Sequence, residues 1–508
     1  MTQHLDTAGP LPNGGGSRPA APRAVRQGSR MGRAVPVTVP AVAALALGLW
    51  GIDRRDSMWR DESVTYQVAH RSLGDLWGLL GNIDAVHGLY YLLMHAVFAM
   101  WDGGLSALRL PSTVATALAA AGVGAIGARL AGRRAGTLAG LVFALVPVTQ
   151  QYAQEGRSYA LVTAGVTWAT YFFLRATGAS HGRWWTAYAI ALGLSCWLHE
   201  FAALALVAHG LTLWWSRLPR PVWRRWGIAA AGVAASLLPL TVVSAAQAEQ
   251  QLGWLGRPSF SAWLQFLALS AVGALLCQLL VSGGSVEAAA LSRLSLPLLI
   301  APAGLLMVIS LIKPWYVDRY VLYGMTGLAL PTGAALGWAV GQRHRLAPAA
   351  RVLTACLLTG AAVAVLLPWS LLVRSPESRK DDVVAVAHTV EKSMTEGDGV
   401  LFMPARRREW LLSYPAVHHR LDDLALAKSP AASHTLQGTE LSADEIRRRI
   451  LAANRIVALT DPPGQPLDSF AQEKVKRQML KTYFEPCERT RVRGAQIVVY
   501  AKTGHCTP

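Results

Sequence analysis

The sequence predicts an α-helical membrane protein that crosses the bilayer many times and carries a small α/β domain at its C-terminal end. Of its 508 residues, 52% are hydrophobic and only 15% are charged, which is far from the composition of an ordinary soluble domain. Apolar stretches repeatedly reach the ~20 residues that a helix needs to cross a bilayer. Residues 374–508, by contrast, contain 17 of the 30 acidic residues. They therefore predict a separate domain outside the membrane.

The formal net charge of +18 could by itself indicate nucleic-acid binding. The basic residues, however, lie in short loops between apolar stretches, as the positive-inside rule expects of a membrane protein. No basic module of a recognisable nucleic-acid-binding type is present, so no nucleic-acid partner is expected. Residues 1–34 are rich in Gly, Pro, Ala and Arg. That composition cannot form a core and predicts a disordered basic tail in the cytoplasm.

Residues 35–373 form the predicted membrane region, with eleven spans. The spans lie near residues 35–52, 111–131, 136–150, 158–176, 185–199, 200–216, 226–246, 262–284, 294–313, 320–341 and 350–373. With a cytoplasmic N-terminus, this count satisfies the positive-inside rule and makes the C-terminal domain extracytoplasmic. The arginine clusters that it places in the cytoplasm are Arg129/Arg133/Arg134, Arg175/Arg183, Arg217/Arg220/Arg224/Arg225 and Arg343/Arg345/Arg351.

The apolar stretch 88–101 is too short for a comfortable span. Counting it as one would place the cluster around Arg133 outside the cell. It is therefore predicted to lie as a helix in the outer membrane interface. The whole protein is expected in the cell membrane, in contact with membrane lipid.

The acidic residues of the membrane region are sorted to one side. Of these twelve, eleven lie at or beyond the outer ends of the predicted spans, and only Glu287 lies inside. Acidic residues have little effect on orientation, so a polar cavity that opens outwards is the better explanation. Asp61 and Glu62 are adjacent carboxylates in the first outer loop. Such groups are costly to keep beside a bilayer, and acid–base chemistry on hydroxyl groups needs them.

Further polar residues are predicted at the same outer face. Arginine and lysine near the membrane boundary suit a phosphate ligand, Arg through its bidentate fork and Lys as a point charge. A carboxylate base and cationic phosphate ligands beside lipid predict a substrate that is linked to a lipid phosphate. The candidates are His87, Tyr91, Glu155, Arg157, Tyr159, Lys313, Arg319 and Tyr320, and His199 and Glu200 mark a turn between two further spans.

The order of these motifs resembles that of the multi-span glycosyltransferases of the GT-C class. Within that class the similarity is to the superfamily of protein O-mannosyltransferases and aminoarabinose transferases (glycosyltransferase family 39-like, bacterial), and it covers residues 35–373. One departure is His87-Gly88-Leu89, where the family often reads His-Pro-Pro-Leu or His-Pro-Leu; it leaves the acceptor side open. The motifs that carry the resemblance are Asp61-Glu62, His87-x-x-x-Tyr91, Gln154-Glu155-x-Arg157-x-Tyr159-Ala160-Leu161 and Arg319-Tyr320.

The resemblance implies a transferase that moves a sugar, mannose at the family level, from a polyprenyl-phosphate donor to a hydroxyl group of an extracytoplasmic acceptor with inversion. Asp61 would take the acceptor's proton, and Glu62 would orient the acceptor or contribute to the electric field of the cavity. Arg157, Lys313 or Arg319 would stabilise the leaving phosphate. The acceptor is left open between protein, lipid and glycan. No cofactor is expected; paired carboxylates suit a divalent cation chemically, but the family is not typically metal-dependent. The residues expected to contact substrate are His87, Tyr91, Glu155, Tyr159 and Tyr320.

Other interpretations of the same residues stay open. Asp61 and Glu62 could be ordinary interfacial acids, and Arg157 could pair with Glu155 or Glu200. Lys313, Asp318 and Arg319 could be snorkelling anchors around Trp315. The chain could also be a transporter or flippase for a lipid-linked or anionic substrate. Such proteins show internal repeats and interrupted helices, and no repeat is found in the sequence. A non-catalytic assembly protein would not need this set of polar residues.

The C-terminal region predicts a small accessory α/β unit. It contains neither a Gly-rich phosphate loop nor a nucleophile elbow, so its predicted role is to shape the access of the acceptor. Cys487 and Cys506 both lie there, where an oxidising compartment permits a disulfide. The predicted elements are a helix over 380–394, strands over 399–403 and 455–459, a helix over 469–482 and a hairpin near 488–502.

Overall fold

The computed structural model describes residues 30–178, 182–253, 255–342 and 347–506. Residues 1–29 of the predicted tail, and Arg343 and Arg345 of the fourth arginine cluster, lie outside the described residues. Short 3₁₀ segments precede the helices that begin at Gly88, Leu204 and Met325. The helices of the membrane region are α1 Arg30–Leu49, α2 Arg60–Ala69, α3 Leu73–Asn82, α4 Gly88–Met100, α5 Gly104–Ala131, α6 Arg133–Leu145, α7 Pro147–Ala153, α8 Tyr159–Thr177, α9 Arg183–Leu198, α10 Leu204–Trp215, α11 Arg220–Leu252, α12 Phe260–Val281, α13 Val286–Ile309, α14 Met325–Gln342 and α15 Pro348–Val373.

The multi-span membrane architecture is confirmed at the level of helices. Each predicted span overlaps a helix, but α6 and α10 have only 13 and 12 residues, so the total of eleven spans stays a prediction. Within the described residues, six helices are long and apolar enough to cross a membrane. They are Gly32–Leu49, Gly104–Ala131, Arg220–Gln250, Phe260–Val281, Val286–Ile309 and Pro348–Val373.

Proline explains two differences between the predicted and observed helix ends. The span predicted over 136–150 is divided at Pro147, because the residue before a proline is driven to extended backbone; Val146 has ψ 127° and separates α6 from α7. The span predicted from residue 111 begins seven residues earlier, at Gly104, and contains Pro111 inside the helix. The first turns of α5 are held by burial of Leu108 and Arg109.

The two ends of the bundle differ in charge. Helix α5 runs from Arg109, which contacts Glu62, to Arg129, which lies beside Gly178 after the end of α8. Helix α9 returns from Arg183 to His199, whose ring is 5.8 Å from that of Tyr159 at the start of α8. The arginine-rich loops therefore lie at one end of these helices, and the predicted site residues lie at the other.

The C-terminal region forms a three-layer α/β unit with a five-stranded sheet in the order β2-β1-β5-β7-β6. Strand β1 is parallel to β2 and β5, and β7 is antiparallel to β5 and β6. Its elements are helices α16 Val383–Ser393, α17 Arg408–Leu412, α18 Pro415–His418, α19 Pro430–Ser433, α20 Ala443–Ala452 and α21 Ala471–Tyr483, and strands β1 Gly399–Met403, β2 Asp422–Asp423, β3 Leu426–Lys428, β4 Thr439–Glu440, β5 Arg455–Thr460, β6 Phe484–Val492 and β7 Ala495–Lys502.

Both faces of this sheet are buried, as alternation along β1 illustrates. Val400 and Phe402 pack with α16 on one face, and Leu401 packs with α20 and α21 on the other. The predicted α/β character is confirmed, and the hairpin is longer than predicted because β6 starts at Phe484. The predicted disulfide is confirmed: Cys487 and Cys506 are bonded, with Cα atoms 5.4 Å apart.

Candidate active site

A cavity lies where the loop after α1, the arginine-poor ends of the helices and the C-terminal unit meet. Most of its walls come from segments that the sequence motifs singled out, and the C-terminal unit adds two residues. The residues used below that line it are Arg60, Asp61, Asp84, His87, Arg157, Tyr159, His199, Glu200, Arg319, Tyr320, Glu409 and Leu436.

Asp61 is the most accessible of the ion-paired carboxylates of this cavity. It lies in the first turn of α2, and 26% of its side chain is exposed, against 2% for Glu409. Arg319 Nη2 lies 3.4 Å from Asp61 Oδ2. The other carboxylates are held by neighbours: Asp84 accepts from the Tyr91 hydroxyl at 2.7 Å, and Glu200 accepts from the Ser244 hydroxyl at 2.6 Å. Asp61 is thus the carboxylate best placed to meet a ligand.

Arg157 is a buried guanidinium that faces neutral partners. Its Nη1 donates to the Thr65 hydroxyl at 3.3 Å and to the Tyr91 hydroxyl at 3.5 Å, and its Nη2 lies 2.7 Å from His87 Nε2. Among the described residues no carboxylate lies within 4.0 Å of it, and its Nε has no hydrogen-bond partner. A buried cation without a counter-ion is costly, so this position is prepared for an anion.

His87 accepts the Arg157 hydrogen bond as a neutral imidazole. Burial, together with the positive charge of Arg157, holds the pKa of His87 well below its ordinary value. Because arginine only donates, the His87 proton lies on Nδ1, which has no partner in the described part of the chain. His199 stands across the cavity with its ring 6.0 Å away. Its Nδ1 is also unpartnered among the described residues.

Arg319 is enclosed by aromatic rings. Its guanidinium carbon lies 5.7 Å from the ring of Trp59, 5.4 Å from that of Tyr159 and 5.7 Å from that of Tyr320. Such cation–π contacts hold a guanidinium without neutralising it. Arg157 and Arg319 therefore bring two cationic groups to one cavity. Both lie near Asp61: Arg157 Nη1 is 3.5 Å from its carbonyl oxygen and Arg319 Nη2 is 3.4 Å from Oδ2.

Glu62 is not in this cavity, although it adjoins Asp61 in sequence. Its side chain is 0% exposed and pairs with Arg109 at 2.7 Å and with Arg54 at 3.3 Å, and it accepts from the Gly156 amide at 3.0 Å. Burial alone would raise the pKa of Glu62, but the charges of Arg109 and Arg54 outweigh it and hold the pKa well below its ordinary value. Contrary to the prediction, Glu62 therefore does not contact an acceptor in this cavity. Its ion pairs with Arg54 and Arg109 hold the loop between α1 and α2 in place instead.

Three other predicted residues lie outside the cavity wall. Glu155 is buried and pairs with Arg379 at 3.5 Å. Tyr91 does not line the cavity itself, but its hydroxyl contacts two residues that do, Arg157 and Asp84. Lys313 is exposed and lines a neighbouring, mainly apolar cavity with Trp315, so it is not brought beside Arg157. His87, Arg157, Tyr159, Arg319 and Tyr320 do come together with Asp61.

The C-terminal unit contributes residues that the sequence motifs did not identify. Glu409 lines the cavity and accepts from Arg60 Nε at 3.3 Å, and Leu436 lines the same wall. The unit is held against α2 by hydrogen bonds from Val383 N to Met58 O at 2.7 Å and between the Ser63 and Ser413 hydroxyls at 2.7 Å. The unusual run Arg406-Arg407-Arg408-Glu409-Trp410 was the available sequence signal.

A helical membrane bundle, an extramembrane α/β unit and an acid–arginine cavity between them are the features that the resemblance to GT-C glycosyltransferases implies. Residues 88–245 match the family model described as dolichyl-phosphate-mannose-protein mannosyltransferase. No curated protein matches the chain. The family match, over less than a third of the chain, confirms the predicted resemblance.

Solved structures show the same fold. The chain is similar to ArnT from Cupriavidus metallidurans in the apo state, with 12% identity and a TM-score of 0.58 over 91% of this chain and 97% of that one. For the same protein bound to undecaprenyl phosphate, the identity is 14% and the TM-score 0.59, over 93% and 99%. An Archaeoglobus fulgidus oligosaccharyltransferase in the apo form is 13% identical, with a TM-score of 0.51 over 84% and 69%.

Proposed function

We propose that this protein transfers a sugar from a polyprenyl phosphate to a hydroxyl group of an extracytoplasmic acceptor, with inversion at the anomeric carbon. The observation that carries the proposal is the placement of Asp61 beside two cationic side chains in one cavity: Arg157, whose hydrogen-bond partners are neutral, and Arg319. A carboxylate that can take a proton and guanidiniums that can hold a phosphate are the two functions such a transfer needs.

The donor phosphate is assigned to Arg157 and Arg319. Planar guanidinium groups match phosphate oxygens in a bidentate way, and Arg157 is buried without a carboxylate partner among the described residues. ArnT, whose fold this chain shares, has been solved with undecaprenyl phosphate bound, which supports a donor of that chemical class. A phosphate that attracts Arg319 would also weaken its contact with Asp61, and this would leave the carboxylate free to act as a base.

The transfer is a single displacement. Asp61 accepts the proton of the acceptor hydroxyl while the hydroxyl oxygen bonds to the anomeric carbon. The bond from that carbon to the phosphate oxygen breaks, and the polyprenyl phosphate leaves with the bonding electrons. Arg157 and Arg319 stabilise the negative charge that develops on the leaving oxygen. Mannose is the sugar that the family match suggests, and the cavity is assigned to the outer face of the cell membrane.

The first test combines donor screening with the loss of the base. Membranes that contain the protein are supplied with a panel of polyprenyl-phosphate sugars, and transfer to envelope acceptors is measured. Asp61→Asn keeps the size of the side chain but cannot take the proton, so turnover should fall at least ~10²-fold with an unchanged yield of folded protein. Near-normal turnover of Asp61→Asn would refute the base. If no donor in the panel is used by the wild type, the transferase itself is refuted.

The second test separates the donor side from the acceptor side. Arg157→Lys keeps the charge but loses the planar fork, which is not a conservative change at a phosphate site. We expect a higher KM for the donor in Arg157→Lys and almost no turnover in Arg157→Ala, measured by donor titration at saturating acceptor. The exposed Lys313→Ala is the matched control and should change donor use less. A change confined to the acceptor dependence would place Arg157 on the acceptor side.

A further inference from the structure

A second, smaller pocket lies directly beside the catalytic cavity, at the contact between α2 and the C-terminal unit. It is lined by Arg60, Asp381, Arg406, Arg407, Trp410 and Gly494. Arg60 lines both this pocket and the catalytic cavity and directly precedes Asp61 in the chain. The pocket therefore adjoins the proposed base on the side that the C-terminal unit covers.

The pocket offers hydrogen-bond donors with unused capacity. Arg407 Nε donates to Asp461 at 2.6 Å, whereas its buried Nη1 has no hydrogen-bond partner among the described residues. Arg406 donates to Asp461 at 2.8 Å and to Asp468 at 3.2 Å. An unsatisfied N–H in a buried position is costly and calls for an explanation. A ligand that brings an acceptor oxygen supplies one.

The pocket also offers an acceptor. Asp381 Oδ1 accepts the Arg60 amide at 2.7 Å, and Oδ2 takes no hydrogen bond from the described residues. Burial raises the pKa of Asp381 to about 6, so the carboxylate is still ionised at neutral pH. A hydroxyl group can donate to Asp381 and accept from an arginine at the same time.

The charge balance argues against an anionic ligand. The pocket has three guanidiniums, those of Arg60, Arg406 and Arg407. They are matched by Asp381 in the wall and by three carboxylates bound to the arginines, Glu409, Asp461 and Asp468. Four negative groups around three positive ones leave no excess of positive charge for a phosphate. The set suits a neutral ligand that carries several hydroxyl groups.

The walls suit the face of one small ring. One wall is the indole of Trp410 with Arg407 stacked 4.2 Å from its centroid. Another is the tight β6–β7 turn, where Gly494 has φ +81° and an added Cβ would lie 2.3 Å from Asp381 Cβ. A side chain at position 494 would therefore clash with Asp381, so glycine lets the turn pack closely against this wall.

We propose that this pocket binds a sugar residue of the acceptor, next to the hydroxyl group that Asp61 deprotonates, and that the acceptor is accordingly a glycan. The proposal rests on the transferase function above and makes it more specific. The C-terminal unit then selects the acceptor, while Arg157 and Arg319 hold the donor.

Direct binding tests the pocket without any turnover. The full chain in lipid nanodiscs is mixed with methyl α-mannopyranoside, methyl α-glucopyranoside or N-acetylglucosamine, and saturation transfer to each sugar is recorded by NMR. Wild type should transfer saturation to at least one of them. Asp381→Asn, which can still accept the Arg60 amide, and Arg407→Gln should each weaken that binding ~10-fold or more, as expected for loss of a hydrogen bond to a charged group.

Two controls locate the signal. Arg420→Gln changes an exposed arginine of the same unit that pairs with Glu391 at 3.6 Å, and it should bind like wild type. Arg157→Ala should also keep the signal, because it affects the donor side. Thermal unfolding of each variant confirms that the unit is folded, and Asp381→Asn decides the test if Arg407→Gln does not fold.

Several outcomes would overturn the proposal. The absence of binding by all three sugars would do so, as would binding that neither pocket variant weakens. Inorganic phosphate or a Ser/Thr-containing peptide that binds in place of the sugars and depends on Arg407 would assign the pocket to another ligand. None of these readouts needs sugar transfer, so failure of the transferase proposal would be recognised separately.

Discussion

Two adjacent carboxylates, Asp61 and Glu62, have opposite surroundings in this protein. Successive residues of an α-helix point about 100° apart, so only one of the two can face the cavity. Glu62 faces inwards because Arg109 reaches it from a position 47 residues later in the chain. The sequence shows the pair of acids but not this distant partner. For that reason the paired acids could be predicted as a site, whereas their separate roles could not.

The environment of Glu62 leads to a prediction about folding. Glu62→Gln leaves Arg54 and Arg109 buried without their counter-charge, and breaking a buried ion pair typically costs ~3–5 kcal/mol. We expect a large loss of folded protein and a lower melting temperature, while the molecules that fold keep turnover within a few-fold of wild type. Yield, melting temperature and turnover per folded molecule are the measurements. A Glu62→Gln protein that is stable but inactive would contradict this prediction and show that Glu62 takes part in the reaction.

Glu155 is a buried carboxylate with a weak ion pair. Burial outweighs the attraction of Arg379 and raises the pKa of Glu155 from 4.5 to about 7. Its Oε1 has no hydrogen-bond partner among the described residues. Between these two pH values the folded protein keeps the proton that the unfolded chain has lost. The free energy of unfolding therefore decreases as the pH rises through this window.

This titration predicts a pH-dependent difference between wild type and Glu155→Gln. From pH ~4.5 to pH ~7, the stability of wild type relative to Glu155→Gln should fall by about 3 kcal/mol, at 1.36 kcal/mol for each unit of pKa shift, and then level off. The variant is the control for all other acids, since they titrate in both proteins. Melting temperatures of the detergent-purified proteins across this range are the measurement. A constant difference would show that Glu155 titrates with the same pKa in the folded and the unfolded protein.

At the scale of elements, the length of the apolar stretches predicted the positions of the helices well, but it predicted poorly where each helix begins and ends. Helices α12 and α13 could be predicted from their apolar composition alone. In lipid, the backbone N–H and C=O groups must form their hydrogen bonds within the segment, and a helix does this. The ends depended on local detail, such as the break at Pro147 and the 3₁₀ segments Glu200–Ala203 and Asp318–Gly324. Those segments position Glu200, Arg319 and Tyr320 in the cavity.

The contribution of the C-terminal unit could not be predicted from its own elements. Its strands followed from β-rich runs, and the disulfide followed from the position of its cysteines. The contact between Arg60 and Glu409, however, joins residues 349 positions apart, and no local pattern indicates such a contact. The role of the unit as a wall of the cavity is therefore a result of the tertiary structure alone.

At the scale of the whole molecule, charge and site lie at opposite ends of the bundle. Helices α5, α8 and α10 all run from the cavity towards arginine-rich loops, which contain Arg133, Arg183 and Arg220. Under the positive-inside rule those loops face the cytoplasm. The cavity and the C-terminal unit then face outwards, where lipid-linked donors would enter from the bilayer.

This orientation predicts the labelling of two exposed positions. In a protein whose free cysteines, Cys196, Cys277 and Cys356, are replaced by alanine, Arg133→Cys should be protected from a membrane-impermeant thiol reagent added to intact cells. Arg420→Cys, in the C-terminal unit, should react. Permeabilised cells provide the control, because both positions should then react. The disulfide between Cys487 and Cys506 is kept, so that the fold of the unit is not changed.

The same pair of positions also tests the interfacial placement of α4. If the helix Gly88–Met100 crossed the bilayer, an odd number of spans would separate the N-terminus from position 133, and Arg133→Cys would be labelled from outside. With α4 in the interface, two spans, α1 and α5, return the chain to the cytoplasm before Arg133, and the thiol is protected. Nine predicted spans lie between positions 133 and 420, so the two thiols should always face opposite sides of the membrane. Labelling of Arg133→Cys alone would mean either that α4 spans the membrane or that the whole protein is inverted, and it would contradict the orientation given above. Labelling of both positions would show that the number of spans between them is even.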